Sequence, residues 1–548
     1  MKRDLERLSQ KTYDLLVIGG GITGAATAHD AALRGLSVAL VERRDFGSAT
    51  SAATSKLVHG GLRYLRTLEV SLVRESLRER RILEYIAPHL VAPIPFMVPC
   101  YRHGASNLTM LTAGMMLYDR LSFDKARLDD IDRKVPRWNR LSRGEAQVRE
   151  PDLKGDNLTG AVVYHDCQMM SPDRLTWEFV EGAMENGAEV ANYAEVVSLR
   201  TANKTVEGAV VRDALTGREF EISARMTINA AGPWADFVTQ MLGKGHEKRL
   251  VRSQGIHMIT RPLAKHHALV LTTKAGRVFF IIPWRGRSLI GTTDTRYEGH
   301  PDEYRVTRTG LETFIGEVNE ALPSANLTID DVEWSYGGLR PIVENDTALR
   351  DVNKASRKYE IYDHQKENRL GGMLTVVGGK YTTSRALAER LTEIACTHLN
   401  MPRPSRTTAG HILPGGRIGS WAGAKTRIMR DYDVHSDHAA ILLAHYGSRT
   451  LKFLAEAKAN PELAATIDET KPETLAVIEM AVNDEMALHL DDVLFRRTGL
   501  ATMGRVPDAS VDLVADHMAG LLGWNAEQRA AEVAGVRAKL QSRGFDEA

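Results

Sequence analysis

Cysteine is nearly absent: Cys100, Cys167 and Cys396 are the only three in 548 residues. Their separations match neither a zinc site nor a Cys-x-x-Cys redox pair. The expected state is three buried, reduced thiols in a cytosolic protein, with no metal centre. Net charge is nearly absent as well, with 71 basic side chains against 70 acidic ones. Without a broad field of one sign, bulk electrostatics point to neither nucleic acid nor an anionic membrane as the main partner. No apolar run approaches the roughly 20 residues of a membrane helix. Leu15 to Ala28 could pass for a signal h-region, but glycines interrupt it and no cleavage-like site follows. Internal repeats and low-complexity tracts are missing too. These absences leave a large, enzyme-sized chain with core enough for about two to four domains. It is expected to be cytoplasmic, or attached to a membrane only at its surface.

The feature that is present lies near the N-terminus. Leu15 to Ile18 is a short apolar run that reads as a buried parallel strand. It breaks at Gly19-Gly20-Gly21, and a helical pattern from Ile22 to Arg34 then ends at Gly35. The next strand, Ser37 to Val41, stops on Glu42. Gly19 permits a tight turn, Gly21 lets the backbone approach a diphosphate, and Gly24 lets the helix pack on the strand. The helix N-terminus meets the phosphates with unpaired N–H groups and the positive end of its dipole. Glu42 stands 18 residues beyond Gly24 (42 − 24), where a carboxylate accepts from ribose hydroxyls. Strand, turn, helix, strand and acid in register predict dinucleotide binding.

Farther along, strand and helix patterns alternate around residues 159–165 and 174–186. Strands follow at 189–199, 206–212 and 226–230, the last running into Ala231-Gly232-Pro233-Trp234. Apolar strands either side of Arg285-Gly286-Arg287 predict a hairpin, inside a segment, 241–335, that reads as antiparallel sheet. Leu374 to Val377 again runs into a glycine pair, Gly378-Gly379. Beyond about residue 405 the texture turns helical, with helices expected at 437–445, 449–459, 472–490, 509–522 and 526–541. Asn525 and Gln528 form a capping box for the last of these. The stripe Leu475, Ile478, Val482, Met486 is ordinary core. The expected class is α/β: a Rossmann-like nucleotide-binding domain from 1–90, 155–240 and 336–402, an antiparallel-sheet substrate-binding cap from 91–154 and 241–335, and an all-helical C-terminal domain, 403–548.

Four further clusters carry chemistry. Thr50-Ser51 and Ser55-Lys56-Leu57 supply hydroxyls and a cation suited to ribityl and phosphate oxygens. They run into His59-Gly60-Gly61-Leu62-Arg63-Tyr64, where the glycine pair lets backbone approach a flat ring beside a titrating group and a fixed cation. The plainer reading of this stretch is a Ser/Thr-rich surface loop. Asn229 to Trp234 follows a strand and reads equally well as a turn. Gly337-Gly338-Leu339-Arg340-Pro341 is the third cluster. In the fourth, Gly378 to Arg385, a helix N-terminus with Lys380 lies at the cofactor end of the sheet.

Taken in order, these motifs resemble the flavoprotein family of the D-amino-acid-oxidase type, and within it the FAD-dependent glycerol-3-phosphate dehydrogenases. Gly291-Thr-Thr-Asp294 belongs to the resemblance, which extends into the helical part through Leu413-Pro-Gly-Gly416, Tyr446-Gly-Ser448 and Asp491-Asp-Val-Leu-Phe-Arg-Arg497. Tyr381 and Ser384 depart from the family pattern, as does the length of the loop after Arg340. The resemblance implies FAD held by Gly19, Gly21, Gly24, Glu42, Thr50, Ser51, Ser55, Lys56, Leu57, Val197, Gly232, Gly379, Lys380, Thr382 and Thr383. It implies glycerol 3-phosphate as substrate, bound by Arg63, Tyr64, Arg340, Arg357 and Lys380. His59 is the expected base, with Arg340 and Lys380 beside it in the catalytic set, because imidazole titrates near working pH and arginine matches phosphate oxygens with a bidentate fork. A histidine that merely packs beside the flavin is the alternative. Electrons pass on to quinone at the inner face of the cytoplasmic membrane, or to dioxygen in an oxidase. A flavin-binding protein without redox chemistry is the third reading. A homodimer is left open.

Overall fold

The computed structural model describes the chain except residues 1–2, 66–67, 103–106, 126, 129, 131–132, 244–249, 344–357, 403–404, 406 and 548. Strand β1 (Thr12–Ile18) leads through helix α1 (Ile22–Leu33) to β2 (Val38–Val41). β1 lies between β2 and the long strand β3 (Glu219–Asn229), which pairs in turn with β4 (Met373–Val377). All these pairings are parallel, and Glu189–Ala191 adds a parallel edge beside β2. Leu15 and Val17 face one core with Ala25, Ala28 and Leu374, while Leu16 and Ile18 face another with Val206, Val211 and Ile222. A strand buried on both faces cannot alternate polar and apolar residues, which explains the continuous apolar run. One face carries α1, flanked by α2 (Pro172–Glu185) and α3 (Ser384–His398). The other is covered by the antiparallel meander Ala194–Ala202, Thr205–Asp213 and the first half of β3.

The expected run 189–199 therefore divides. Its first three residues extend the parallel sheet and the rest joins the meander, with the change of direction at Tyr193 in the left-handed region (φ 51°). Hydrophobicity alone carries no mark of that corner.

A second, ten-stranded sheet contains Val91–Tyr101, Leu158–Met169, Leu250–Thr260 and Val332–Val343. It is antiparallel except where Ala268–Thr272 meets Val91–Tyr101. The expected hairpin is there: Val278–Trp284 and Arg287–Gly291 pair around Arg285 (φ 48°) and Gly286 (φ 73°). Two successive positive φ values match the twist of the flanking strands. One face of this sheet packs on Arg308–Ala321, and the other meets apolar side chains of the C-terminal helices such as Leu475, Val493 and Val511. The three cysteines are buried and unbridged.

The C-terminal part is helical as expected, with helices at Ser436–Tyr446, Arg449–Ala459, Asp508–Leu522 and Ala526–Gln541. The capping box at Asn525 and Gln528 is formed. The expected helix 472–490 is a correction: it covers only Leu475–Asn483, and Met486 takes a positive φ of 53°. The carboxylate of Asp492 accepts from the N–H groups of Leu488 and His489, giving the chain a competing set of partners there. Trp421–Tyr432 is an additional helix. Its stripe, Trp421, Ala424, Ile428 and Tyr432, packs on the neighbouring helices, but only Ile428 is fully buried, and the helix is missing from those expected from sequence.

The last helix is tied down by His489, whose ring nitrogen lies 2.6 Å from Glu532, and that hydrogen bond raises the imidazole above its ordinary value. A folded-state pKa above the unfolded value of 6.5 gives stabilisation that is complete below 6.5 and is lost as pH rises through the folded value. Glu532→Gln is therefore expected to lower the thermal midpoint more at about pH 6 than at about pH 9. Equal losses at the two pH values would exclude this pair as a source of pH dependence.

Candidate active site

Four motifs sit at the carboxyl ends of four parallel strands: the glycine turn after β1, Glu42 after β2, Ala230 to Trp234 after β3, and Gly378-Gly379-Lys380 after β4. The β1–β2 connection leaves to one side of β1 and β3 lies on the other, so the crevice opens where the winding reverses. Gly19 has φ 103°, and a Cβ there would stand 2.7 Å from the carbonyl oxygen of Ala230. A Cβ on Gly24 would stand 1.8 Å from the carbonyl oxygen of Gly19. Neither position has room for a side chain, and both contacts are to backbone. At Gly21, by contrast, the one atom within 4 Å of a built Cβ is the Ser51 hydroxyl at 3.2 Å, a side chain and not backbone.

Glu42 folds back on the turn, accepting from the Gly20 N–H at 2.7 Å and the Arg44 N–H at 2.9 Å. Burial raises its carboxyl above the ordinary range, against the pull of those donors. Each carboxylate oxygen keeps a second lone pair for a ribose hydroxyl. The Ser51 hydroxyl accepts from the Ile22 N–H at 2.9 Å, placing residue 51 over the start of α1. Thr50 donates to the Leu339 carbonyl at 2.6 Å, which joins this loop to the Arg340 strand. Gly232, with φ 56°, has nothing within 4 Å of a built Cβ and borders open space. Asn229 closes the turn ahead of it, donating to Ala235 and accepting from Ala231. Val197 lies on the meander strand Ala194–Ala202, at a bulge between Val196 and Ser198.

Lys56 is buried, with φ 54°, and its ammonium lies 4.9 Å from the Trp284 ring and 5.2 Å from the Tyr336 ring. Burial lowers its pKa to about 8, with nearby Asp173 opposing. Beside it the Ser55 hydroxyl is 2.9 Å from Nε2 of His257, which stacks on Tyr336. Burial, then Arg340 and Lys56, hold His257 well below its ordinary value, so this ring is neutral. His257 was not among the expected site residues, and one histidine among 18 carries no local signal.

The two specific blocks meet although more than 300 residues separate them. The His59 N–H donates to the Thr382 hydroxyl at 3.3 Å, and Lys380 Nζ lies 3.9 Å from the centre of the Tyr64 ring. Lys380 also donates to the Ser76 hydroxyl at 3.1 Å. Ser76 belongs to helix Val70–Ile86, which holds the rest of the block too. Glu79 takes a bidentate pair from Arg385, 2.7 Å on each arm, at the start of α3. Arg80 pairs with Asp166, whose carboxylate also accepts from the Gly60 N–H and from Tyr118. Arg340 is oriented by Thr292 at 2.8 Å and Asp294 at 3.2 Å. Its neighbour Pro341 has its carbonyl 3.8 Å from a Cβ built on Gly378, so the third and fourth clusters adjoin. Thr383 is the residue before α3, Thr382 is buried beside it, and Leu57 pairs with Gln168 in the second sheet. The Arg63 side chain and Arg357 lie outside the described residues. Ser76, Glu79, Arg80 and Asp166 supply the support; they are ordinary helix and strand residues in sequence, and only the folded chain brings them to the site.

Comparison with known proteins gives a consistent picture. A family model described as FAD dependent oxidoreductase matches residues 14–392, and one described as the C-terminal domain of alpha-glycerophosphate oxidase matches residues 406–529. The glycerol-3-phosphate dehydrogenase of Synechocystis sp. is 34% identical, the match covering 96% of each chain. The aerobic glycerol-3-phosphate dehydrogenase of Bacillus subtilis is 33% identical, over 91% of this chain and 89% of that one. The solved structure of the glycerol-3-phosphate dehydrogenase from Bacillus halodurans, complexed with FAD, superimposes with a TM-score of 0.79 at 29% identity, covering 99% and 97%.

The glycine contacts give a direct test. Gly24→Ala should cost at least about 1–3 kcal/mol, because the clash is with backbone that cannot rotate away, and should empty the nucleotide site. Gly535, exposed in the last helix with nothing within 4 Å, is the control: Gly535→Ala should be neutral or stabilising by up to about 1 kcal/mol. Thermal midpoints and cofactor content of the two purified variants decide; retained cofactor in Gly24→Ala would remove the turn from the binding site.

Proposed function

The chain belongs to the family of FAD-dependent glycerol-3-phosphate dehydrogenases, and on that premise we propose that it oxidises sn-glycerol 3-phosphate to dihydroxyacetone phosphate. The observation that carries the reading is the meeting of His59 to Tyr64 with Lys380 at the mouth of the nucleotide crevice. Oxidation of the secondary alcohol removes a hydride from carbon and a proton from oxygen. FAD, when bound, supplies the acceptor for the hydride's two electrons. The residues present fit it: Gly19, Gly21, Gly24 and the start of α1 for the diphosphate, Glu42 for the adenosine ribose, and Val197 and Gly232 beside it. Thr50, Ser51, Ser55 and Leu57, with Gly379, Thr382 and Thr383, line the remainder. Lys56, caged between aromatic rings, serves this wall from behind.

His59 takes the hydroxyl proton. Arg340 and Lys380, with Arg63 and Arg357, bind the phosphate and steady the oxygen that becomes the ketone. Orientation matters as much as charge. Thr292 and Asp294 fix the plane of the Arg340 fork, while Ser76 and the Tyr64 ring hold the Lys380 ammonium. The acceptor in this reading is quinone. Dioxygen is the second reading, favoured by the C-terminal match to a domain named after an oxidase.

Arg340→Ala and Lys380→Ala should lower kcat/KM by about ten- to a thousandfold, far more than they lower FAD content. Unphosphorylated glycerol should be a very poor substrate for the wild type. Equal turnover of glycerol and glycerol 3-phosphate would refute the phosphate site, and an unaltered rate and pH profile in His59→Asn would reduce His59 to packing. Parallel assays with a quinone analogue and with dioxygen decide the acceptor.

A quinone acceptor calls for contact with a membrane, here its inner face. No helix among the described residues is long and apolar enough to cross one. Within the apolar tract 90–117, Val91–Tyr101 is largely buried strand, whereas helix Leu108–Leu121 turns Met110 (61% exposed) and Met116 (59% exposed) outward, with Phe123 just beyond its end. An outward apolar helix face suits interfacial attachment. Met116→Asp and Phe123→Asp together should move activity from the membrane fraction to the supernatant while leaving dye-linked turnover intact. An unchanged distribution would exclude this helix.

A further inference from the structure

Asp45 lies three residues beyond Glu42, fully enclosed, and its partners come from the far end of the chain. Its carboxylate accepts from Arg496 Nε at 2.6 Å and from both arms of Arg497, at 2.7 and 2.8 Å. Asn192 adds a fourth donor at 3.2 Å and also donates to the Met486 carbonyl. The arginines are held from the helical side. Arg497 donates twice to the Glu485 carbonyl, and Arg496 pairs with Asp491 and Asp492. Tyr193, at the corner leaving the parallel sheet, donates to Asp492 at 2.6 Å. Burial pushes the Asp45 carboxyl up, and the Arg497 and Arg496 charges overcome it, so it stays ionised below its ordinary value.

The loop that Asp45 anchors reaches the nucleotide turn at its other face. Glu42 accepts from the Gly20 N–H, the Gly47 N–H donates to the Gly20 carbonyl at 3.0 Å, and a Cβ on Gly20 would stand 2.5 Å from the Phe46 ring. Tyr193 and Ala194 donate backbone N–H groups to the carbonyls of Arg44 and Glu42. Residues 42–47 are thus held between the glycine turn on one side and Arg496-Arg497 on the other. With one partner gone, a charge is left buried and uncompensated, which a side chain escapes by moving its backbone toward water.

We infer that Arg496 and Arg497 are positioning residues for the adenosine side of FAD: the helical C-terminal domain, through Asp45, holds Glu42 at ribose distance from the glycine turn. The inference rests on FAD occupying that turn. It gives the Asp491–Arg497 motif a task at the cofactor site, although none of its residues lies in the nucleotide motif.

A second buried pairing separates positioning from general stability. Glu178 on α2 accepts from Arg449 at 2.6 Å and from the Gly415 N–H at 2.7 Å, joining the same two parts of the chain. Its hydrogen-bond partners, His89, Arg449 and Gly415, are not residues of the 42–47 loop. Holoenzymes carrying Arg497→Lys, Tyr193→Phe or Glu178→Gln are compared for thermal midpoint and for FAD Kd, read from the fluorescence of FAD released on dilution. Arg497→Lys is expected to raise Kd about ten- to a hundredfold, the scale of losing hydrogen bonds to a charged group, and Tyr193→Phe about two- to tenfold. Glu178→Gln should lower the thermal midpoint at least as much as Tyr193→Phe while keeping Kd within about twofold. An unchanged Kd in Arg497→Lys, or FAD loss in Glu178→Gln proportionate to its loss of stability, would overturn the inference. Should Arg497→Lys not fold, Tyr193→Phe decides, and an unchanged Kd there overturns it equally. A wild-type protein without FAD would instead refute the underlying reading, before any variant is made.

Discussion

The site depends first on how closely β1 and β3 approach at their carboxyl ends. A carbonyl oxygen of Ala230 lies where the first carbon of any side chain on residue 19 would go, and the carbonyl of Gly19 excludes one from residue 24. This lack of space brings the start of α1 down onto the sheet and points the N–H groups of its first turn toward the crevice. Every other element is positioned relative to that contact. Glu42 folds onto the turn, the Ser51 loop closes over the helix start, and β4 brings Lys380 to the same rim. Wider packing at residue 19 or 24 would shift the helix axis and, with it, the anion site.

Helix Val70–Ile86 does the corresponding work on the substrate side. Within five residues it presents Ser76 to Lys380, Glu79 to Arg385, and Arg80 to the carboxylate that receives the Gly60 N–H. These groups fall on neighbouring positions of one helical face, so a single rigid element registers the His59 block against the Lys380 block. Arg80, Asp166, Glu79 and Arg385 are almost fully buried, where a mispaired charge is far more costly than at the surface. The pairing therefore acts as a registration device as well as a contribution to cohesion. It also explains how blocks that are short and glycine-rich, and so weakly ordered by themselves, present side chains in a defined geometry.

The parts legible in sequence are those in which a local rule decides the structure. Gly19, Gly24, the Arg285-Gly286 turn and the Asn525 cap each follow from backbone conformation over a few residues, and each appears in the structure as expected. Glu42 could be placed because strand and helix lengths fix its distance from the turn. The bend at Tyr193, the early end of the helix at Asn483 and the cage around Lys56 could not. Each is decided by groups far away in sequence: the meander strands, the carboxylate of Asp492, and the rings of Trp284 and Tyr336. His257 shows the same limit. Its neutral state follows from burial between Ser55, Tyr336 and two cations, and none of those neighbours is near it in the chain.

The order of strands in the parallel sheet also bears on how the protein is made. β1 sits in the middle of the sheet, yet its partner β3 is completed only at Asn229 and β4 only at Val377. A ribosome adding about 5–20 residues per second needs roughly 10–40 seconds to pass from the end of β1 to the end of β3. Through that interval β1 has β2 along one edge, and the unpaired N–H and C=O groups of the opposite edge are open to any other extended chain. The emerging polypeptide therefore spends a long part of its synthesis as a half-built sheet.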